Sequence, residues 1–122
     1  LGKKIPDNQS ERIKLASAYA LQKNIILVLK SHRTIVTDGK QIYEEKAGNP
    51  GMATGGSGDV LAGTIASFLL MPDQSPLFNT IRAVHTHSLS GDLAAKNKSQ
   101  RFLIASDIID NYGTILKSLE KK

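Results

Sequence analysis

Ile25-Ile-Leu-Val-Leu29 is a five-residue run with no polar break. It is too short for a helix and rich in β-branched side chains. It therefore predicts a strand, and its continuous hydrophobicity predicts one covered on both faces, as in a parallel sheet. Lys30 should emerge at the end of that strand. Upstream, Asp7 to Asn24 reads as a helix. Asn8 followed three residues later by Glu11 is a capping-box pattern, Ile13, Ala16, Ala20 and Leu21 form an apolar stripe, and Asn24 is expected to end it. Downstream, Thr34-Ile-Val-Thr37 and Gln41-Ile-Tyr43 flank Asp38-Gly39, a pair that tolerates the positive φ angles of a tight turn, so a β-hairpin should follow the strand.

Residues 47–58 hold five glycines and a proline, which is loop composition. Asp59 to Leu70 is apolar on nearly every face, so this helix is expected to be buried. Pro72 and Pro76 bracket a surface turn. Leu77 to Lys96 reads as the next helix, with Ile81, Val84, Leu89 and Leu93 apolar, and with Ser88, Ser90 and Gly91 small enough for close approach. Ser106 is expected to cap a last helix in which Ile108, Ile109, Tyr112, Ile115, Leu116 and Leu119 recur at helical spacing. Helices alternating with a buried strand predict an α/β layered architecture. So many helices need a wider sheet than one strand and a hairpin provide, so further strands are expected in additional sequence or in a partner chain.

Composition fits an ordinary globular domain: 122 residues, 40% apolar and 22% charged, long enough for one core. The absence of cysteine removes thiol chemistry and Cys-based zinc sites and suits a reducing compartment, with the cytoplasm as the expected one. Leu1-Gly-Lys-Lys-Ile-Pro6 lacks the apolar run of a signal peptide, and Val60 to Met71 is too short to span a membrane. The opening on Leu-Gly rather than Met is what a fragment of a longer chain would show. The formal charge of +5 favours anionic partners, although a solvated tail at Lys117, Lys121 and Lys122 is the plainer reading of part of that excess. Nucleic acid is not the expected partner, because the six aromatics do not interleave with a basic cluster.

The chemistry concentrates in Asn49-Pro-Gly-Met-Ala-Thr-Gly-Gly-Ser-Gly-Asp59, a glycine-rich loop that runs into a helix start. The first amides of a helix lack intrahelical partners and the macrodipole adds positive charge, so such a junction attracts phosphate. A Walker loop would need Gly-Lys-Ser/Thr, and Gly58 is followed by Asp59 and Val60. A dinucleotide fingerprint starting at Gly56 fails at its third glycine, where Leu61 stands. What remains suits phosphoryl transfer to a hydroxyl: amides of Gly56, Ser57 and Gly58 to hold the phosphoryl and Asp59 to accept the hydroxyl proton. The plainer alternative is that Asp59 only caps its helix. That carboxylate is expected to face a pocket. Lys30 is a further candidate for the nucleotide, at the strand end where α/β sheets place ligands. His32 beside Arg33 reads equally as a phosphate contact or a solvated residue, and His85 and His87, two apart on a helix, read as packing or hydrogen-bonding groups, with no shared metal.

Asn49 through Gly63 closely resembles the signature of the NAD(P)H-hydrate dehydratase family of the ribokinase-like superfamily. Gly-Gly-Ser-Gly-Asp59 alone would indicate any ribokinase-like kinase, and the Asn-Pro-Gly-Met-Ala-Thr54 lead-in singles out the dehydratase branch. Val28-Leu29-Lys30 with Thr34-Ile-Val36 is similar to the family's strand, nucleotide-contacting turn and hairpin. Ser31 stands where the family usually has glycine. Residues 83–92 resemble its following helix, with His87, Gly91 and Asp92 at matching places and Ser88 replacing a usual glycine. The resemblance implies a three-layer ribokinase-like α/β fold. Here it covers only the C-terminal part of the domain: a central-sheet strand, a β-hairpin and several helices.

Because Leu1-Gly2 matches the point just after the family's Thr-Pro-His-x-Gly-Glu segment, residues 1–122 are expected to form the C-terminal half of one domain, with the N-terminal half absent. That absent segment lies near phosphates and Mg²⁺ in related enzymes, whereas Asn8-x-x-Glu11 reads as a helix cap and no protein metal site is assigned.

The implied reaction phosphorylates the 6-hydroxyl of NADH or NADPH hydrate from ADP or ATP with Mg²⁺, then eliminates phosphate. Asp59 serves as the catalytic, substrate-contacting base. The implied nucleotide contacts are Lys30, Ser31, His32, Arg33 and Thr34, then Asn49, Pro50, Gly51, Met52, Ala53, Thr54, Gly55, Gly56, Ser57 and Gly58. The expected partners are NAD(P)H hydrate and ADP or ATP, with homo-oligomerisation or assembly with the N-terminal half, and no membrane. The alternatives are a small-molecule kinase of the same superfamily, acting on a sugar or vitamin, and an inactive nucleotide-binding fragment.

Overall fold

A computed structural model describes Gly2 and residues 4–120. Leu1, with its match to the family's segment boundary, and Lys121 and Lys122, with the tail reading, lie outside the described residues. The chain divides into two compact units, one ending at Lys46 and one beginning at Ala47.

The first unit opens with α1 (Gln9–Lys23), capped as its sequence predicts. Asn8 Oδ1 accepts the Glu11 N–H at 3.2 Å, and Asn24 closes the helix in the left-handed region at φ 52. Three short strands follow, β1 (Leu27–Leu29), β2 (Ile35–Thr37) and β3 (Ile42–Glu44), in a sheet ordered β1-β2-β3. The hairpin turn is held by Asp38 Oδ1, which accepts the N–H groups of Lys40 (2.9 Å) and Gln41 (2.8 Å), with Gly39 at φ 92. These two backbone bonds hold the Asp38 carboxyl below its ordinary range. Ala16 of α1 packs with Leu29 and Ile35 to form this unit's core.

One expectation is overturned here. β1 pairs antiparallel with β2, Leu27 opposite Thr37, rather than in a parallel sheet. It is not covered on both faces either, since only Leu29 is buried while Leu27 and Val28 are half-buried and Ile25 is exposed. An unbroken apolar run states a requirement for cover on two faces, and the described strands and α1 meet it only in part.

The second unit holds a short 3₁₀ turn (Pro50–Met52) and then α2 (Ser57–Leu69), α3 (Pro76–Lys98), α4 (Ala105–Asp110) and α5 (Tyr112–Glu120). Ser75 Oγ caps α3 by accepting the Phe78 N–H. Contrary to expectation, α2 is buried on one face only: Ser57, Leu61, Thr64 and Phe68 face inward, whereas Ala62, Ala66, Leu69 and Leu70 are exposed. The expected last helix is two helices. The side-chain amide of Asn111 donates to the Asp107 carbonyl at 2.7 Å, the carbonyl that residue 111's own N–H would take in a continuous helix, and that N–H turns to Ile108 instead.

Ser106 does not cap this segment either, because the N-cap of α4 is Ile104, two residues earlier. The orphan donor at that end is met by Asp107, whose Oδ2 accepts the Ile104 N–H at 2.9 Å while Oδ1 accepts Lys98 Nζ at 2.7 Å. The Lys98 ammonium, then the Ile104 amide, holds the Asp107 carboxyl below its ordinary value. A carboxyl lowered on folding stabilises the fold above its unfolded pKa and loses that contribution as pH falls through the folded one. Asp107→Asn is therefore expected to lower the thermal midpoint at neutral pH, with the gap to the parent closing below about pH 4. Calorimetry across pH checks it.

Candidate functional site

The loop that precedes α2 is anchored before it reaches the helix. Asn49 caps the 3₁₀ turn, its Oδ1 accepting the Gly51 N–H at 3.0 Å with Pro50 at the first position. Its Nδ2 donates both to the Gly91 carbonyl (3.1 Å) and to Asp92 Oδ1 (2.8 Å). Asp92 Oδ2 accepts the Gly48 N–H at 2.9 Å. Met52 packs beside Ala94, Leu103 and Ile108. Of the expected nucleotide contacts in this lead-in, Asn49, Gly51 and Met52 thus have their polar or apolar surface engaged within the protein. Pro50 and Ala53 are exposed and Thr54 is half-buried. The small residues of α3 serve this loop: Gly91 lies under the Met52 side chain and Ser88 lies beside Gly48.

At the other end of the loop, Gly56 takes φ 87, a left-handed conformation that turns the chain into α2 without a side-chain cap. The Ser57 N–H donates to the Thr54 carbonyl at 3.3 Å. Its carbonyl accepts from buried His87 at 3.2 Å, so Nε2 carries the hydrogen. Ser57, one of the three expected phosphoryl donors, is therefore engaged, and its side chain is buried. The N–H groups of Gly56 and Gly58 meet no acceptor among the described residues, and the Asp59 N–H is open in the same way. The Asp59 side chain is exposed and accepts no hydrogen bond among the described residues, so it does not act as the cap of α2. The second unit has an open cleft of about 390 Å³ lined by Phe68, Phe78, Arg82, His85 and Leu116 among others, and Asp59 is not part of its wall.

In the first unit, Lys30 leaves β1 exposed, as does His32 in the following turn. That turn is closed by Ser31 and Thr34: Ser31 Oγ donates to the Arg33 carbonyl at 2.9 Å, and Thr34 Oγ1 donates to the Ser31 carbonyl at 3.2 Å. Ser31 does not adopt a positive φ, so the residue that replaces the family's usual glycine is tolerated by the backbone. The Arg33 guanidinium is paired with Glu44, which also accepts from Gln9 Nε2 at 2.6 Å. On the same sheet, burial, then the Glu45 charge and its hydrogen bond, pushes the Tyr43 hydroxyl up to about 12.

Among the described residues no three His, Cys, Asp or Glu side chains converge to hold a metal. Asn8 accepts the Glu11 amide, as a helix cap does. The open amides at the start of α2 nevertheless fit a phosphate, and Mg²⁺ would be carried there on the nucleotide's own phosphates. No helix among the described residues is long and apolar enough to cross a membrane.

A family profile described as NAD(P)H-hydrate dehydratase matches residues 1–112. An ADP-dependent (S)-NAD(P)H-hydrate dehydratase of Enterococcus faecalis is 45% identical over 93 residues, 75% of this chain and 28% of that protein. A bifunctional NAD(P)H-hydrate repair enzyme of Moorella thermoacetica is 39% identical over 116 residues, 93% of this chain and 22% of that protein. The fold matches the crystal structure of the ADP/ATP-dependent NAD(P)H-hydrate dehydratase of Bacillus subtilis, co-crystallised with ATP and Mg²⁺. The TM-score is 0.84 at 27% identity, over 90% of this chain and 40% of that one. The chain thus spans between a fifth and a third of these two curated relatives and about two-fifths of the solved chain.

Proposed function

Since this chain belongs to the NAD(P)H-hydrate dehydratase family, we propose that it supplies the phosphoryl-gripping loop and the general base of a nucleotide-dependent dehydratase that restores NAD(P)H from its hydrate. The observation that carries this reading is the start of α2, where the exposed Asp59 carboxylate, with no partner among the described residues, stands beside the open amides of Gly58 and Asp59 itself. In the proposed reaction Asp59 accepts the proton of the substrate's 6-hydroxyl as that oxygen takes a phosphoryl group from ADP or ATP. The amides and the α2 dipole stabilise charge on the transferring group. Mg²⁺, when bound with the nucleotide, offsets further phosphate charge. Phosphate is a far better leaving group than hydroxide. The ring nitrogen drives its departure from C6, and loss of a proton from the neighbouring ring carbon restores the double bond.

We place residues 1–122 in the C-terminal half of a single ribokinase-like domain acting in the cytoplasm. The open apolar face of α2, Ala62, Ala66, Leu69 and Leu70, supports a seat for the rest of that domain. The assay is recovery of near-ultraviolet absorbance from hydrated NADH on adding ADP or ATP to the complete enzyme. A persistent phosphoester without recovery would assign a kinase instead.

The loop itself permits a cleaner substitution. A Cβ at Gly55 would meet nothing within 4 Å, and its φ is not positive. Gly55→Ala should leave folding unchanged within about 0.5 kcal/mol. If phosphate approaches the backbone there, it should weaken ADP binding by about tenfold. Calorimetric titration alongside denaturant unfolding separates the two effects.

A further inference from the structure

Asp92 lies on α3, 33 positions beyond Asp59 in sequence, and makes no contact with α2 among its described hydrogen bonds. Both its carboxylate oxygens are nonetheless spent on the loop that leads to Asp59, one on the Gly48 N–H and one on the Asn49 side-chain amide. Asn49 passes the restraint on. Its second amide hydrogen goes to the Gly91 carbonyl and its oxygen takes the Gly51 N–H. The same helix holds the far end of the loop, through His87 and the Ser57 carbonyl. Between these two fixed ends the glycines at 55 and 56 have no restraining side chain, so their course is set by where the ends are held.

We propose that Asp92 is a positioning residue for the phosphoryl-gripping loop. It acts through Gly48 and Asn49 to set the direction of the Gly56, Gly58 and Asp59 amides. The functional part of this inference rests on the reading that these amides bind phosphate, but its geometric part does not. The chemistry demands a carboxylate. Both partners are donors, and only a carboxylate accepts on both oxygens. An asparagine at this place must turn its own NH₂ toward either the Gly48 N–H or the Asn49 amide, so one bond is lost whichever way it flips.

The test has a ligand-free arm and a binding arm, both on the full chain. In the ligand-free arm, backbone amide NMR of Asp92→Asn is expected to show shifts at Gly56, Gly58 and Asp59 as well as at Gly48 and Gly51. Shifts confined to residues 48–52, or none, would overturn the proposal. In the binding arm, ADP affinity is expected to fall by about tenfold, the scale of losing one charged hydrogen bond. Ser75→Ala, which removes the cap at the opposite end of α3 from Asp92, should leave affinity within about twofold despite its cost in stability. If the parent chain binds no ADP, the functional reading falls, while the ligand-free arm still decides the geometric one.

Discussion

Asp59→Asn is expected to reduce NAD(P)H-hydrate dehydration by the complete enzyme about 10²- to 10⁴-fold, the usual worth of a positioned general base. The same substitution should scarcely change folding. The Asp59 side chain is exposed and holds no hydrogen bond among the described residues, so only its attraction to the α2 N-terminus is lost, less than about 1 kcal/mol. ADP should still bind, because the open amides belong to the backbone. The asparagine is isosteric and cannot take a proton, so turnover and binding separate cleanly. Near-ultraviolet recovery of NADH measures the first and calorimetric titration the second. Near-normal turnover would remove Asp59 from the reaction.

The largest expected effect on stability comes from Gly51. A Cβ there would sit 2.6 Å from the Gln100 carbonyl oxygen and 2.8 Å from the Gln100 Cα, with Asn49 Oδ1 at 3.0 Å. Both near atoms of Gln100 are backbone, just past the C-terminus of α3, and cannot swing aside as a side-chain end would. Gly51→Ala should therefore cost about 1–3 kcal/mol and push the 3₁₀ turn off its seat. Gly113 provides the opposite case in the same unit. It lies in the first turn of α5, where an added methyl would meet nothing within 4 Å, so alanine there should stabilise by up to about 1 kcal/mol. Urea unfolding of the two variants should move in opposite directions.

Much of the local structure was legible because its causes are local. Asn8 and Asn24 bound α1, and Asp38-Gly39 turns the hairpin, through bonds reaching only a few residues. The glycine-rich loop ahead of α2 was readable from composition alone. What the sequence concealed depends on partners distant in the chain. The periodicity from Ile108 to Leu119 continues through Asn111, and nothing in it reveals that the Asn111 side chain takes a backbone carbonyl and ends the first helix. The burial expected of α2 and β1 failed for a different reason. Hydrophobicity records the surface a segment must hide, while the cover has to come from elsewhere.

The site shows the same division. Asn49 and Met52, expected nucleotide contacts by family likeness, also fasten the loop within the second unit, Asn49 Nδ2 through Gly91 and Asp92 and Met52 against Ala94, Leu103 and Ile108. An Asn-Pro pair at the head of a short turn is itself a capping signal and was the available clue. Asp92 carried no such clue, because its donors are 43 and 44 residues away.

The central claim is that main-chain donors at the start of α2 hold a phosphoryl group beside the Asp59 carboxylate. The most direct measurement follows backbone amide resonances of this chain while ADP is titrated in. The account predicts that the Gly58 and Asp59 amides move most, saturably. Unmoved Gly58 and Asp59 amides at saturating ADP, or changes confined to other segments, would contradict it.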